Sequence, residues 1–182
     1  MENWQDNYIK AMHFAALAHG DQRYPEKPYS YLVHLSIVTT EAISVAVEQK
    51  IDLDMNLIVQ CAILHDTIED TDVVYSDVFN TFGKDVADGV LALTKNEKLD
   101  QSVQMADSIS RIKKQPKEIW IIKMADRIAN LQVPLRKWDD NKIKKYRNEA
   151  ILIYQELKEA NEFLANRLSE KIKQYEREYM KF

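Results

Sequence analysis

The residues best suited to chemistry lie in one short segment, residues 65–70, with the sequence His-Asp-Thr-Ile-Glu-Asp. An apolar run over residues 57–64 precedes the segment and is typical of a helix entering the core. If the helix continues, one helix end carries an imidazole and three carboxylates, because residues three and four apart share a face. Neighbouring carboxylates repel each other unless a cation or a proton compensates, and the dipole at a helix C-terminus disfavours them. A bound divalent metal is the simplest interpretation, and a solvated acidic helix end is the alternative.

Two further candidate ligands are expected to point into the core. His34 lies on the apolar stripe of a helix predicted over residues 31–49, and Asp126 lies in a run that is apolar on nearly all sides. A buried charge is costly unless it is paired or bound to a metal. For Asp126 the alternative interpretation is a buried salt bridge with Lys123 or Arg127.

Four residues from three predicted helices therefore form one metal-site hypothesis: His34, His65, Asp66 and Asp126. Two imidazoles and two carboxylates suit Mn²⁺ first, with Fe²⁺, Co²⁺ or Zn²⁺ as alternatives. A metal there would activate a water and polarise a phosphoryl oxygen. Glu69 and Asp70 would then be placed to orient or deprotonate that water. The pattern predicts metal-dependent phosphohydrolysis.

Two polar segments are candidates for substrate contact. Residues 20–30 contain the cations Arg23 and Lys27 beside two tyrosines. Guanidinium groups and aromatic rings stack on bases, and cations pair with phosphate, so this loop suits a nucleotide. Residues 94–100, Thr-Lys-Asn-Glu-Lys-Leu-Asp, are the best candidate for a lid or a substrate-contacting loop. The alternatives are an ordinary surface loop and a plain connector.

Length and composition favour an all-α fold. The 182 residues suggest a single domain with a sizeable core, and only three glycines and four prolines occur, which favours long helices. Hydrophobic periodicity predicts about eight to ten helices and no strand. We expect a motif-bearing core over about residues 8–135, followed by C-terminal helices over residues 142–181. Residues 137–145 are highly charged and are expected to be surface.

Charge and cysteine content restrict the partners and the compartment. The net charge of −4 gives no general reason to bind nucleic acid or an anionic membrane. No apolar run reaches the length of a membrane span, and the first residues lack the features of a secretory signal. The lone cysteine, Cys61, excludes an intrachain disulfide and fits a reducing compartment. We expect a cytoplasmic protein with a small nucleotide as its partner, and the sequence leaves homo-oligomerisation open.

In their order along the chain, these motifs resemble those of the HD-domain metal-dependent phosphohydrolases, named after the adjacent His-Asp pair. The narrower resemblance is to the hydrolase domain of the RelA/SpoT family and to stand-alone small alarmone hydrolases. Residues 65–70 match His-Asp-x-x-Glu-Asp at every fixed position, and residues 123–131, Lys-Met-Ala-Asp-Arg-Ile-Ala-Asn-Leu, match the last motif closely. Residues 19–22, 28–34 and 93–95 are looser matches.

The resemblance implies an HD-type helical bundle and Mn²⁺-dependent removal of the 3′-pyrophosphate from ppGpp-like alarmones. It implies that the four candidate ligands hold the metal and that Glu69 and Asp70 act on the water. Asn130 would contact the nucleotide sugar or phosphate, and Arg23 would be the cation near the base. Lys27 and Lys95 are the further candidates for substrate binding.

One departure from the family keeps alternatives open. The family usually has an Arg-Lys pair in the early loop, where residues 23–25 of this chain are Arg-Tyr-Pro. The main alternative is an HD phosphohydrolase for another nucleotide: an adenosine alarmone, a deoxynucleotide or a phosphorylated dinucleotide cofactor. The other is a non-catalytic metal- and nucleotide-binding module. Glu69 and Asp70 argue against it, because a pure binder does not need two extra carboxylates.

Overall fold

The computed structural model describes residues 3–49 and 52–180, and its regular structure there is helical apart from one isolated β-bridge. This confirms the predicted all-α class. None of the helices in these two ranges is long and apolar enough to cross a membrane. The helices are α1 (Trp4–His19), α2 (Leu32–Gln49), α3 (Met55–Leu64), α4 (Thr67–Asp70), α5 (Tyr75–Phe82), α6 (Lys84–Leu93), α7 (Gln104–Ile112), α8 (Lys117–Asn130), α9 (Asp140–Leu157) and α10 (Glu162–Tyr179), with a 3₁₀ turn at Lys158–Ala160.

Local sequence signals set the ends of the first helices. α1 stops at Gly20, whose positive φ of 48° suits a residue without a side chain and whose N–H donates to the carbonyl of Ala16. α3 begins after Asp54, whose side chain accepts the backbone N–H groups of Asn56 and Leu57. The Asp54 cap fixes where α3 begins, and therefore where the His-Asp segment at the other end of α3 lies.

The last two helices differ slightly from the predicted bounds because their caps lie elsewhere. α9 begins at Asp140 instead of residue 142, since the side chain of Asp139 accepts a backbone N–H of the first turn. α10 begins after Asn161, which caps it in the same way. The predicted end of this helix at residue 181 lies outside the described residues.

The α8 helix is the centre of the fold. Ile121, Ile122 and Met124 are fully buried, and the helix packs against α2, α3, α9 and α10. Its apolar run therefore meets neighbours on several sides, as the sequence predicts. These neighbouring helices hold α8, and with it Asp126, in a fixed position.

Truncating the centre of α8 should destabilise the whole molecule. Ile122→Ala is expected to lower the free energy of unfolding by about 2–5 kcal/mol, because it removes buried methyl groups and leaves a cavity. Urea unfolding followed by circular dichroism measures the change. Leu17→Ala is the control, since Leu17 on α1 is 86% exposed and its loss should cost less than about 0.5 kcal/mol. Equal midpoints for the two variants would contradict the central position of α8.

Candidate active site

The His-Asp segment does not continue straight from its helix, as expected from the sequence, but bends. α3 ends at Leu64, His65 and Asp66 form a turn, and the single turn α4 follows. Asp66 has φ −100° and ψ −3°, and its carbonyl accepts the N–H of Asp70 at 2.8 Å. The hydroxyl of Thr67 donates to the carbonyl of Leu64 at 2.7 Å, which closes the bend. Both side chains of the His-Asp pair are thereby presented at the corner between two helices.

The four predicted ligands come together at this corner. His34 of α2 and His65 face each other, with their Nε2 atoms 3.3 Å apart. Oδ2 of Asp66 lies 3.4 Å from Nε2 of His34 and 2.9 Å from Nε2 of His65. Oδ1 of Asp126, on α8, lies 3.5 and 3.8 Å from the same two nitrogens. Residues far apart in the chain thus place four donor atoms around one point.

Groups behind the ligands fix their orientation. Nδ1 of His65 lies 2.8 Å from the carbonyl of Ala62, so Nδ1 donates its proton to this carbonyl and Nε2 faces the cluster. The hydroxyl of Tyr31 donates to Oδ2 of Asp66 at 2.6 Å. Nζ of Lys123 lies 3.2 Å from Oδ2 of Asp126, so the pair considered as an alternative in the sequence is present. Lys123 contacts Oδ2 of Asp126, whereas Oδ1 of Asp126 faces the two imidazoles.

The electrostatics of the cluster call for a positive charge at its centre. Burial alone would lower the pKa of His65, but the carboxylates of Asp66 and Asp126 raise it well above its usual value. Burial likewise opposes ionisation of Asp66, yet the charge of His65 and hydrogen bonds from both histidines hold the pKa of Asp66 well below its usual range. A divalent ion satisfies these donors directly, because both imidazole nitrogens and both carboxylates are ligands that such ions accept. The residues present therefore fit a divalent metal site.

The two carboxylates expected to act on water have different surroundings. Glu69 is bound to Lys95: its Oε2 accepts the backbone N–H at 2.8 Å and its Oε1 accepts from Nζ at 2.5 Å. Asp70 is exposed to solvent. Partial loss of water around Asp70 raises its pKa, as do the charges of Asp66 and Glu69, whereas the polar side chain of Gln22 opposes the shift. Asp70 is therefore the more accessible of the two carboxylates, since Glu69 is held by Lys95.

A cleft of about 420 Å³ opens beside the ligand cluster. Asn130 and Lys95 line this cleft, as expected for residues that contact the substrate. Arg23 and Lys27 lie outside its lining, and Nη1 of Arg23 donates to the carbonyl of Pro28 at 2.7 Å within its own loop. Of the four predicted substrate residues, the structure therefore brings two to the cleft.

Part of the cleft lining, here called the aromatic wall, carries aromatic and cationic groups that the sequence did not reveal. The rings of Trp138 and Tyr146 lie 4.9 Å apart, and Nζ of Lys142 lies 5.6 Å from the centre of the Trp138 ring. The guanidinium of Arg127 stacks on Tyr146 at 4.2 Å. All four residues line the cleft. Residues 137–145 are charged and mostly exposed, as expected from the sequence, and Trp138, Lys142 and Lys145 of this stretch also line the cleft.

Comparisons with known proteins agree with this geometry. The profile of the HD domain family matches residues 11–168. The guanosine-3′,5′-bis(diphosphate) 3′-pyrophosphohydrolase MESH1 of Drosophila melanogaster is 27% identical over 129 residues, which are 69% of this chain and 68% of that protein. MESH1 of Danio rerio is 24% identical over 166 residues, 89% of this chain and 90% of that protein. The guanosine-3′,5′-bis(diphosphate) 3′-pyrophosphohydrolase of Aquifex aeolicus is 30% identical over 150 residues, but they are only 20% of its length.

Two solved structures have a fold similar to that of this chain. The structure of a metazoan ortholog of SpoT that hydrolyzes ppGpp superposes with a TM-score of 0.77 and 26% identity, covering 92% of this chain and 94% of that one. The structure of lmo0812 from Listeria monocytogenes superposes with a TM-score of 0.63 at 19% identity, which shows a shared fold. Because the family profile spans most of the sequence and the ligand cluster is in place, the chain belongs to the HD-domain family.

Proposed function

We propose that the protein is a cytoplasmic, Mn²⁺-dependent hydrolase that removes the 3′-pyrophosphate from ppGpp-like nucleotides, giving a nucleotide and pyrophosphate. The observation that carries this proposal is the cluster of two imidazoles and two carboxylates that opens onto a cleft lined by Asp70. The activity named for the relatives from fly, zebrafish and Aquifex supports the choice of substrate.

Different residues of the chain have different roles in this reaction. His34, His65, Asp66 and Asp126 would hold the ion, which when bound supplies a Lewis acid for a phosphoryl oxygen and a water of lowered pKa. Asp70 accepts a proton as water attacks phosphorus and the bond from phosphorus to the sugar oxygen breaks, and the released oxygen takes up a proton from solvent to become a hydroxyl. Lys95 has its ammonium group at the cleft, where it offsets the negative charge of Glu69 and of an entering phosphate.

The aromatic wall offers a place for the base. Aromatic rings stack on nucleobases, and such stacking contributes about 1–3 kcal/mol per base. Trp138 and Tyr146 present two rings to the cleft, and Lys142 and Lys145 add positive charge beside them. A nucleotide with its base at this wall would reach the ligand cluster with its phosphates.

The test is a product assay with the purified chain. We expect ppGpp with Mn²⁺ to give GDP and pyrophosphate, identified by mass, and we expect EDTA to stop the reaction. The same assay is run with an adenosine alarmone, a deoxynucleoside triphosphate and NADPH, and with Fe²⁺, Co²⁺ and Zn²⁺ in place of Mn²⁺. Release of a single phosphate or of triphosphate from one of the other nucleotides, with ppGpp left intact, would refute the alarmone reaction.

Binding of the base should depend on the aromatic wall more than on the early loop. Trp138→Ala is expected to raise KM for ppGpp about 5- to 100-fold with little change in kcat, because the base is remote from the bond that is cleaved. Arg23→Ala is the comparison variant, since the sequence assigns base recognition to Arg23, whereas its guanidinium contacts its own loop. Steady-state kinetics of both variants decide between the two places. A raised KM in Arg23→Ala alone would return base recognition to residues 20–30.

A further inference from the structure

We propose that Arg111 is a positioning residue for the active site: it holds the peptide unit between Thr94 and Lys95, and thereby keeps the ammonium of Lys95 at the cleft. The inference rests on the proposed function, in which Lys95 offsets the negative charge of an entering phosphate. Arg111 lies on α7 and is not among the described residues that line the cleft. It can therefore act on a substrate only through the groups that it holds.

The guanidinium of Arg111 reaches from α7 to the C-terminal end of α6. Its Nη1 donates to the carbonyl of Leu91 at 2.6 Å and to the carbonyl of Ala92 at 3.1 Å. Its Nη2 donates to the carbonyl of Thr94 at 2.8 Å. Its Nε donates to Oδ2 of Asp107, one turn earlier on α7, at 2.8 Å, which orients the plane of the guanidinium. One side chain thus holds three carbonyls of a short segment.

The way in which α6 ends explains why a cation is placed there. The last carbonyls of a helix have no partner within the helix, and the helix dipole favours a positive charge beside them. Thr94 directs its own N–H and its hydroxyl to the carbonyl of Val90, at 3.0 and 2.9 Å. Arg111 supplies donors for the next two carbonyls. Thr94 and Arg111 together therefore set the point at which the chain leaves α6.

The active site holds the same peptide unit from its other side. Its C=O belongs to Thr94 and accepts from Arg111, whereas its N–H belongs to Lys95 and donates to Oε2 of Glu69 at 2.8 Å. Because a peptide unit is planar, these two hydrogen bonds together fix its orientation. Nζ of Lys95 then returns to Oε1 of Glu69 at 2.5 Å, in the lining of the cleft. The direction in which the Lys95 side chain leaves the backbone therefore depends on Arg111.

The first experiment compares kinetic constants for ppGpp. Arg111→Met keeps an aliphatic side chain and removes every hydrogen-bond donor, and we expect KM to rise about 5- to 20-fold. kcat should stay within about threefold of the wild type, because Arg111 does not hold the metal ligands or Asp70. Lys95→Met removes the ammonium itself and should raise KM about 10- to 100-fold. The double variant should equal Lys95→Met, since Arg111 acts through Lys95.

Arg147→Met is the matched control. Arg147 joins α9 to α10 through an ion pair with Glu176 at 3.5 Å, and its side chain is 25% exposed, against 28% for Arg111. Its loss should leave KM unchanged. If Arg111 only supported the fold, fewer molecules would be active, so kcat would fall while KM stayed the same. That result, or a further rise in KM of about fivefold or more in the double variant over Lys95→Met, would overturn the proposal.

The second experiment needs no substrate. Amide hydrogen exchange followed by NMR reports whether the N–H of Lys95 stays bonded to Glu69. In Arg111→Met we expect this amide to exchange about tenfold faster, whereas the amides of Ala87 in α6 and Ile109 in α7 should stay within about twofold of the wild type. An unchanged rate at Lys95, or the same acceleration at all three amides, would overturn the proposal. If the wild type does not convert ppGpp, the proposed function fails, and the exchange rate at Lys95 still decides whether Arg111 holds this peptide.

Discussion

Asp126→Ala is expected to abolish both metal binding and turnover while leaving a helical protein. The substitution removes the donor that α8 contributes, 3.5 Å from Nε2 of His34. It also leaves the buried ammonium of Lys123 without its carboxylate, and breaking a buried ion pair costs about 3–5 kcal/mol. Bound Mn²⁺ is measured by elemental mass spectrometry, turnover with ppGpp, and stability by urea unfolding.

The control for this variant is another aspartate in an ion pair. Asp88→Ala removes the partner of Lys84 on α6, where the ammonium is exposed, so metal content and turnover should be unchanged. If Asp126→Ala kept one metal per chain and normal turnover, Asp126 would not be a ligand, and its carboxylate would serve only to neutralise Lys123.

Asp70→Asn is expected to lower turnover roughly 10²- to 10⁴-fold, the usual effect of removing a positioned acid or base. Metal content should not change, because the four donor atoms stay in place. The amide keeps the size of the side chain, so the loss of turnover isolates the effect of the negative charge. Single-turnover rates with bound Mn²⁺ measure the chemical step. Near-normal turnover would show that the reaction needs no protein base at this position.

Glu69→Gln is the informative comparison. Since Lys95 already neutralises the carboxylate of Glu69, we expect a smaller loss than in Asp70→Asn. If the two carboxylates act as one unit, each single change costs about the same and the double change costs little more. Loss of metal in Glu69→Gln would instead make Glu69 a ligand.

The grouping of the four candidate ligands could be predicted because its signals are local. His65 and Asp66 are neighbours in the chain, and Asp126 stands out as a charge in an apolar helix whose burial follows from composition. A helix brings such a residue to a predictable face. The four side chains predicted as ligands therefore lie close together in the structure, and metal binding by them stays a prediction.

The substrate cleft could not be predicted in the same way, because its wall depends on how distant helices pack. Trp138 and Tyr146 lie within a charged stretch, and nothing in their spacing shows that α9 faces α8 and the ligands. Arg23 has the chemistry to bind a base, but the turn of its loop points the guanidinium at Pro28. Residue type predicts what a side chain can bind, whereas its direction comes from the tertiary fold.

The position of α8 has a consequence for the order in which the molecule is completed during synthesis. A ribosome makes the chain from its N-terminus, so every candidate ligand has been made once Asp126 has been added. α8 nevertheless packs against α9 and α10, whose Leu157, Leu164 and Leu168 are fully buried in the shared core. Until these helices have left the ribosome, the helix that holds Asp126 lacks part of its apolar cover, and domains generally fold as units. The nascent protein therefore carries all four candidate ligands well before it can hold them in the arrangement of the folded protein.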